Sequence, residues 1–141
     1  MCQPYWEHYP HPADMGIRGF GRTKEEAFEQ AALALAAVVA DPGSVIPTQR
    51  IDIDCQQQDN DELLLVEWLN SIVYEMATRR MLFGRFRVRF EDGGLRGQAW
   101  GELLDVERHR PTVEVKAATY CDLAVCRGRD GLWMAQCIVD V

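Results

Sequence analysis

Hydrophobic residues recur at helical spacing in two stretches of the chain. The first stretch follows Thr23-Lys-Glu-Glu26, a capping box in which a threonine and a glutamate lie three residues apart, and Asp41-Pro-Gly43 ends it. The second follows Asp59 to Glu62, which repeats that spacing, and runs into Arg79-Arg80. A basic pair suits the negative end of a helix dipole. The pattern therefore predicts two amphipathic helices.

Shorter segments alternate hydrophobic and polar residues with a period of two, as β-strands do. Arg85-Phe-Arg-Val-Arg-Phe90 places Phe86, Val88 and Phe90 on one face and three arginines on the other. The arginine face is expected to meet water or an acidic partner. The other segments with strand character are Tyr5–Tyr9, Met15–Phe20, Ile51–Asp54, Leu95–Glu102, Pro111–Tyr120, Leu123–Cys126 and Leu132–Val141.

These elements predict the fold class. Two helices among about six to eight strands, joined mostly by short turns and without strict βαβ alternation, favour an α+β domain of two layers. We expect both helices to pack on one face of a largely antiparallel or mixed sheet, with Phe28 and Trp68 in the shared core. A chain of 141 residues that is 48% hydrophobic is sized for a single domain, 1–141.

Composition narrows the class of protein. Charged residues make up 26% of the chain, and no hydrophobic run approaches the roughly 18 residues of a membrane span, so we expect a cytoplasmic protein without a membrane partner. Five cysteines, without a C-x-x-C pair, argue against a disulfide framework or a zinc knuckle and predict reduced, mostly buried thiols. The net charge of -7 opposes broad adsorption to a phosphate backbone. Any role in RNA chemistry is therefore expected to run through a protein partner.

The familiar enzyme motifs are absent from the sequence: it has no phosphate-binding loop, no G-x-S-x-G and no dinucleotide fingerprint. His8, His11 and Asp14 lie three residues apart, as members of a metal or acid/base cluster on a helix do. Pro10 and Pro12 exclude that helix. His11 and Asp14 have a simpler interpretation as turn residues, because Asp readily bonds nearby backbone groups.

Other charged positions leave their alternatives open. Glu114 and Lys116 share one face of the predicted strand, and Val113, Val115 and Ala117 lie on the other. The two charged residues form either a surface ion pair worth at most about 1 kcal/mol or a charged contact patch. Asp41 follows the first helix, where the dipole disfavours a carboxylate, and a solvated loop residue is the alternative. The last predicted strand ends on Asp140-Val141, so that two anionic groups able to bind a hard cation stand side by side.

Several segments carry a resemblance to a known family. They are, in order, His11-Pro-Ala-Asp-Met-Gly16, Thr23-Lys-Glu-Glu-Ala-Phe28, Gly101-Glu102, Val113-Glu-Val-Lys-Ala-Ala-Thr-Tyr120 and Ile138-Val-Asp-Val141. Together they resemble the archease family over essentially the whole chain. The resemblance implies an α+β accessory protein, not an enzyme. Its implied role is to activate an RtcB-type RNA ligase in tRNA splicing and RNA repair, by promoting guanylylation with GTP and repeated turnover.

The resemblance also implies which residues act. A bound cation, calcium or another divalent ion, would be held by Asp14, Asp140 and the carboxylate of Val141, with Asp41 as a further candidate. Carboxylate oxygens are the ligands that such hard cations prefer. Lys116 matches a lysine implicated in activating the ligase. The ligase would carry the GTP and manganese and would make most of the contacts with RNA.

The sequence departs from the family pattern at two positions, and two other functions are alternatives to the implied one. Cys121 stands where many relatives have histidine, and Pro12 stands where threonine is common. A metal-dependent hydrolase or nucleotidyltransferase would use the same acidic cluster. A chaperone-like interaction module would carry a structural cation. The absence of a recognisable nucleophile and base favours an accessory protein or an interaction module over an enzyme.

Overall fold

The two long helices lie where the polar caps predict them. In the computed structural model, which describes residues 3–12 and 14–141, helix α1 spans Lys24–Val39 and is capped by the Thr23 side chain. Helix α2 spans Asp61–Arg79. Its cap is Asn60, one residue after the predicted Asp59, because the Asn60 side chain is the one that accepts a hydrogen bond from an amide of the first turn.

The strands pair in two antiparallel sheets. The strands are β1 (Tyr5–His11), β2 (Asp14–Gly21), β3 (Gln49–Cys55), β4 (Met81–Glu91), β5 (Gly94–Leu103), β6 (Ala117–Ala118), β7 (Ala124–Arg127) and β8 (Trp133–Asp140). One sheet has the order β1-β2-β8-β6, with β7 also on β8, and the other has the order β3-β5-β4. A 3-10 helix, Pro42–Ser44, and a short helix α3, Val106–His109, complete the described elements.

The α+β class is confirmed, but the strands do not form the single sheet that was expected. Both helices contact strands of both sheets. Most residues of α1 are buried, and many of them are alanines, whose small side chains allow neighbouring elements to pack closely on several sides of the helix. Close approach to β2 needs a glycine, since a Cβ on Gly19 would lie 2.2 Å from the backbone nitrogen of Ala31. The hydrophobic pattern shows which face of a strand is buried, but it does not show which strand lies alongside. The division into two sheets was therefore not predicted.

Phe28 and Trp68 lie fully buried in one core, as predicted. The Trp68 indole Nε1 donates to the Phe28 carbonyl oxygen over 3.2 Å, which satisfies the polar end of the ring. Phe28 meets Phe90 edge to face, and Trp68 meets Phe86 in the same way. These contacts join α1 and α2 to β4.

The segment Pro111–Lys116 was predicted as part of a strand, and that prediction is wrong, because only Ala117–Ala118 pairs with the sheet. The backbone amide of Thr112 donates to the Val39 carbonyl over 2.8 Å, and its hydroxyl donates to the Val38 carbonyl over 3.0 Å. These bonds hold the segment against the end of α1 and away from the sheet edge.

The predicted side-chain alternation in this segment is also wrong. Val113 is 43% exposed and Val115 is 5% exposed, so the two valines do not share a buried face.

The described cysteines are free thiols, of which two are buried and two exposed. Burial raises the pKa of Cys137 to about 12 and that of Cys55 to about 11. Cys121 and Cys126 are exposed, so the expectation of mostly buried thiols holds for half of these four, and Cys2 lies outside the described residues. No helix in the described ranges is long and apolar enough to cross a membrane.

Candidate functional site

The antiparallel ladder between β2 and β8 brings two acidic residues to one end of the five-stranded sheet. Its last pair joins Met15 to Val139, and continuing the register by one residue sets Asp14 opposite Asp140. Met15 and Val139 pack into the core. Because side chains alternate along a strand, Asp14 and Asp140 lie on the other face, where Asp14 is half-buried and Asp140 is exposed. We call this pair the acidic end.

Lys116 lies beside the acidic end. Its backbone amide donates to the Asp140 carbonyl over 2.8 Å, and the next residue, Ala117, is the register partner of Asp140. Lys116 is exposed. Among residues 3–12 and 14–141, neither Glu114 nor Lys116 takes part in an ion pair. The surface ion pair is therefore not formed between these two residues, and the charged contact patch stays a prediction.

Asp41 has a local role at the end of α1. Its carboxylate accepts a hydrogen bond from the Gly43 amide over 2.9 Å and caps the 3-10 helix. Within the described part of the chain, no group of three or more His, Cys, Asp or Glu side chains is arranged to hold a metal ion. The acidic end therefore supplies two carboxylates, and Val141 follows Asp140 directly. The cation site on Asp14, Asp140 and Val141, with Asp41, stays a prediction.

The histidines of the first strand do not form a cluster with Asp14. His8 Nε2 lies 2.7 Å from the Ala34 carbonyl oxygen, which ties β1 to α1. His11 is the register partner of Asp14 in the hairpin, and its Nε2 lies 3.9 Å from the Cys121 sulfur. The two histidines thus have different partners, on opposite faces of the sheet.

Tyr9 packs on the outer face of the five-stranded sheet, next to the acidic end. Its ring covers Gly16, where an added Cβ would lie 2.4 Å from the ring. The hydroxyl donates to Asp122 over 3.3 Å, and the Arg18 guanidinium lies 4.2 Å from the ring centroid. Burial, with the nearby Asp122 carboxylate, raises the pKa of Tyr9 to about 12, so its hydroxyl keeps its proton.

Glu102 organises the loop that leads to Lys116, a role that no sequence motif indicates. Its carboxylate accepts hydrogen bonds from the Ile46 amide over 2.6 Å, from the Arg108 guanidinium, and from His109 Nε2 over 3.0 Å. His109 Nδ1 accepts from the Asp105 amide over 2.9 Å, so the ring proton is on Nε2. These donors, the Ile46 amide first, lower the pKa of Glu102 to about 2.

Comparison with known proteins decides the family. A model of the Archease protein family (MTH1598/TM1083) matches residues 6–141. The chain belongs to the archease family. Protein archease of Pyrococcus furiosus is 46% identical over 140 residues, covering 96% of this chain and 98% of that protein. Protein archease of Thermococcus gammatolerans is 42% identical with the same coverage.

Solved structures agree with the archease fold. The solution structure of protein 1598 of Methanobacterium thermoautotrophicum is 33% identical, covers 96% of this chain and 98% of its own, and superposes with a TM-score of 0.77. The crystal structure of an archease from Thermotoga maritima, described as a possible chaperone, superposes with a TM-score of 0.63 at 17% identity over 96% of each chain. The second likeness concerns the fold alone. The family model and the relatives confirm the resemblance to the archease family that the sequence motifs indicate.

Proposed function

We propose that this archease is an accessory protein that activates an RtcB-type RNA ligase in tRNA splicing and RNA repair. It would promote guanylylation of the ligase with GTP and manganese and allow repeated turnover. The observation that supports the proposal is the convergence of Asp14, Asp140 and Lys116 at one end of the sheet. Carboxylates beside an exposed ammonium group suit contact with a partner that carries a nucleotide and a metal ion.

The acidic end is proposed to hold calcium or another divalent cation. Asp14 and Asp140 offer oxygen donors from neighbouring strands, and the α-carboxylate of Val141 is the proposed third group. Calcium takes about six to eight oxygen ligands, so water or partner oxygens would complete its shell. Asp41 fits the ion less well, because its carboxylate already caps Gly43. The cation would neutralise the carboxylates and make the end a site for an anionic group.

Lys116 is proposed to contact an anionic group of the ligase–GTP complex. Three anchors fix its backbone: Thr112 on the end of α1, its own amide on Asp140, and Ala118 on Asn70. A fixed backbone lowers the entropy lost when the ammonium group is positioned, and preorganisation of this kind favours binding.

The decisive experiment mixes the purified chain with an RtcB-type ligase, GTP, manganese and a broken RNA. The proposal expects faster guanylylation and more than one turnover per ligase, both reduced in an Asp14→Asn, Asp140→Asn double variant. Asp59→Asn, in the exposed loop before α2, is the matched control. Equal guanylylation with and without the chain would refute the proposal. Hydrolysis or nucleotide transfer by the chain alone would favour the enzyme alternative, and a general gain in solubility of unrelated proteins would favour a chaperone-like module.

A further inference from the structure

We propose that the exposed face of the three-stranded sheet binds single-stranded nucleic acid, with phosphates along β4 and bases over Trp100. This face, termed the arginine face, presents one charged, amide or aromatic side chain at every second position of each strand. Its members are Arg50, Asp52 and Asp54 on β3, Arg96, Gln98 and Trp100 on β5, and Arg85, Arg87 and Arg89 on β4.

The strand registers set these residues in rows across the sheet. Gln98 pairs with Asp52 on one side and with Arg87 on the other, and the neighbouring rows follow the same pattern. The charge therefore changes across the face, from the aspartates of β3 to the arginines of β4. Along β4 the arginines recur every second residue, about 6.8 Å apart in a strand. That repeat is comparable with the spacing of successive phosphates along an extended polynucleotide strand.

The arginines on β4 are the ones available to a partner. Arg50 pairs with Asp52 over 3.2 Å and Arg96 pairs with Asp54 over 3.6 Å, so the β3 carboxylates are matched within the face. In the described ranges, Arg87 forms no ion pair with a carboxylate.

The two arginines on either side of Arg87 are also open to solvent. Arg85 forms no ion pair within the described residues. Arg89 contacts Glu91 over 3.1 Å while its side chain stays 71% exposed. The three side chains of β4 thus form an open basic row.

Trp100 distinguishes a polynucleotide from an acidic protein as the occupant. The Arg85 guanidinium lies 4.7 Å from the centroid of its ring, which makes a stack of two planar groups that a base can extend. Gln98 lies beside this stack, and its amide has both a donor and an acceptor for a base edge. A peptide built of Asp and Glu would use the arginines but would bring no ring to the stack.

The net charge of -7 does not prevent local binding. At physiological ionic strength the Debye length is about 8 Å, so carboxylates on other faces of the molecule are largely screened from a strand on β4. The whole-chain charge opposes broad adsorption to nucleic acid, but it does not oppose binding at the one basic row of β4.

The test measures fluorescence anisotropy of a short labelled single-stranded RNA, and of the DNA of the same sequence, with the chain alone at several salt concentrations. Three phosphates neutralised on a single strand give a slope of log affinity against log salt of about -2. Arg85→Gln, Arg87→Gln and Arg89→Gln together should flatten this slope and weaken binding at low salt by about tenfold or more. The control combines Arg79→Gln, Arg110→Gln and Arg129→Gln, which removes the same charge elsewhere and should change binding little.

A second pair of variants tests stacking. Trp100→Leu should weaken binding severalfold while the salt slope stays the same, because it removes a ring and no charge, and Trp6→Leu on the other sheet should have no effect. A thermal melt checks each variant, and Arg87→Gln alone replaces the triple variant if that one unfolds. Tighter binding of RNA than of DNA would show that the arginine face also contacts the 2′-hydroxyl groups of the strand.

Three results would overturn the proposal: no binding at low salt, equal losses in the two triple variants, or a polyglutamate peptide that displaces the RNA at equal charge. The last result would assign the face to an acidic protein. The ligase is absent from these measurements. A negative result would therefore refute nucleic-acid binding by the arginine face without bearing on the proposed activation of the ligase.

Discussion

The side-chain amide of Asn70 forms two hydrogen bonds with the backbone of Ala118. Its Nδ2 donates to the Ala118 carbonyl over 3.1 Å, and its Oδ1 accepts from the Ala118 amide over 2.8 Å. An amide side chain thus stands where a neighbouring strand would stand, and it ties α2 to the short strand β6. Lys116 lies two residues before this point, so α2 supports the position of the proposed contact with the ligase.

Replacing Asn70 tests that support. Asn70→Ala leaves the amide and carbonyl of Ala118, a buried residue, without these partners, and we expect a loss of about 1–3 kcal/mol in the free energy of unfolding. Asn70→Asp keeps the acceptor and should lose less. Urea unfolding gives the stability, and guanylylation by the ligase should fall in the same order. Unchanged stability and activation in Asn70→Ala would show that β6 holds its place without the side chain.

Lys116→Ala should separate function from stability. The side chain is exposed and takes no part in the core, so the free energy of unfolding should change by less than about 0.5 kcal/mol. Activation of the ligase should fall clearly. Arg129→Ala, an exposed cation in the turn before β8, is the matched control. An unchanged rate of guanylylation would remove Lys116 from the proposed contact.

The acidic end makes a prediction about additivity. If Asp14 and Asp140 bind one cation, either Asp→Asn change should remove most of the calcium affinity, and the double variant should lose less than the sum of the two. Titration calorimetry with calcium measures this on each variant, beside Asp59→Asn. Additive losses would mean that the two carboxylates act independently. Full affinity in both single variants would mean that the cation, if bound, lies elsewhere.

Glu102 should make part of the stability dependent on acid. Its folded pKa of about 2 lies below the ordinary value of 4.5, so its contribution is fully present above pH 4.5 and is lost as the pH falls through the folded pKa. Glu102→Gln should therefore lower the unfolding free energy at neutral pH and flatten its decline between pH 4.5 and about 2. Urea melts over this range measure the effect. A parallel decline in both proteins would contradict it.

The buried face of α2 can be checked by cavity formation. Leu69 and Ile72 are fully buried, and replacing either by alanine should cost about 2–5 kcal/mol of unfolding free energy. Tyr74 on the same helix is 64% exposed, so Tyr74→Ala should cost much less. Denaturant melts of the three variants decide the matter. Equal losses at the three positions would mean that the helix is rotated about its axis.

Local signals predicted the parts of the fold that local chemistry decides. Thr23 begins one helix because its hydroxyl accepts a hydrogen bond from an amide of the first turn that has no partner within the helix. The arginines of β4 face outward because side chains alternate along a strand. Thr112 gave no such signal, since its bonds to Val38 and Val39 join residues far apart in the sequence.

The same limit applies to the candidate site. Asp14 and Asp140 were linked by resemblance to a family, and the register of β2 against β8 supplies the physical reason for that link. The Glu102–His109 contact was missed because Glu102 lies in β5 and His109 in α3, and the periodicity of one element does not predict a contact with another.

The pairing of β2 with β8 also sets a condition on how the molecule forms. A chain emerging from the ribosome completes the β1–β2 hairpin early. The strand on the other side of β2 is β8, which follows every other described element in the sequence. Until then β2 has an unpaired edge, which is a template for wrong partners. Contacts of such long range are slow to close. A chain without β8 therefore lacks the acidic end, and a partner that binds this end would meet only molecules that have finished folding.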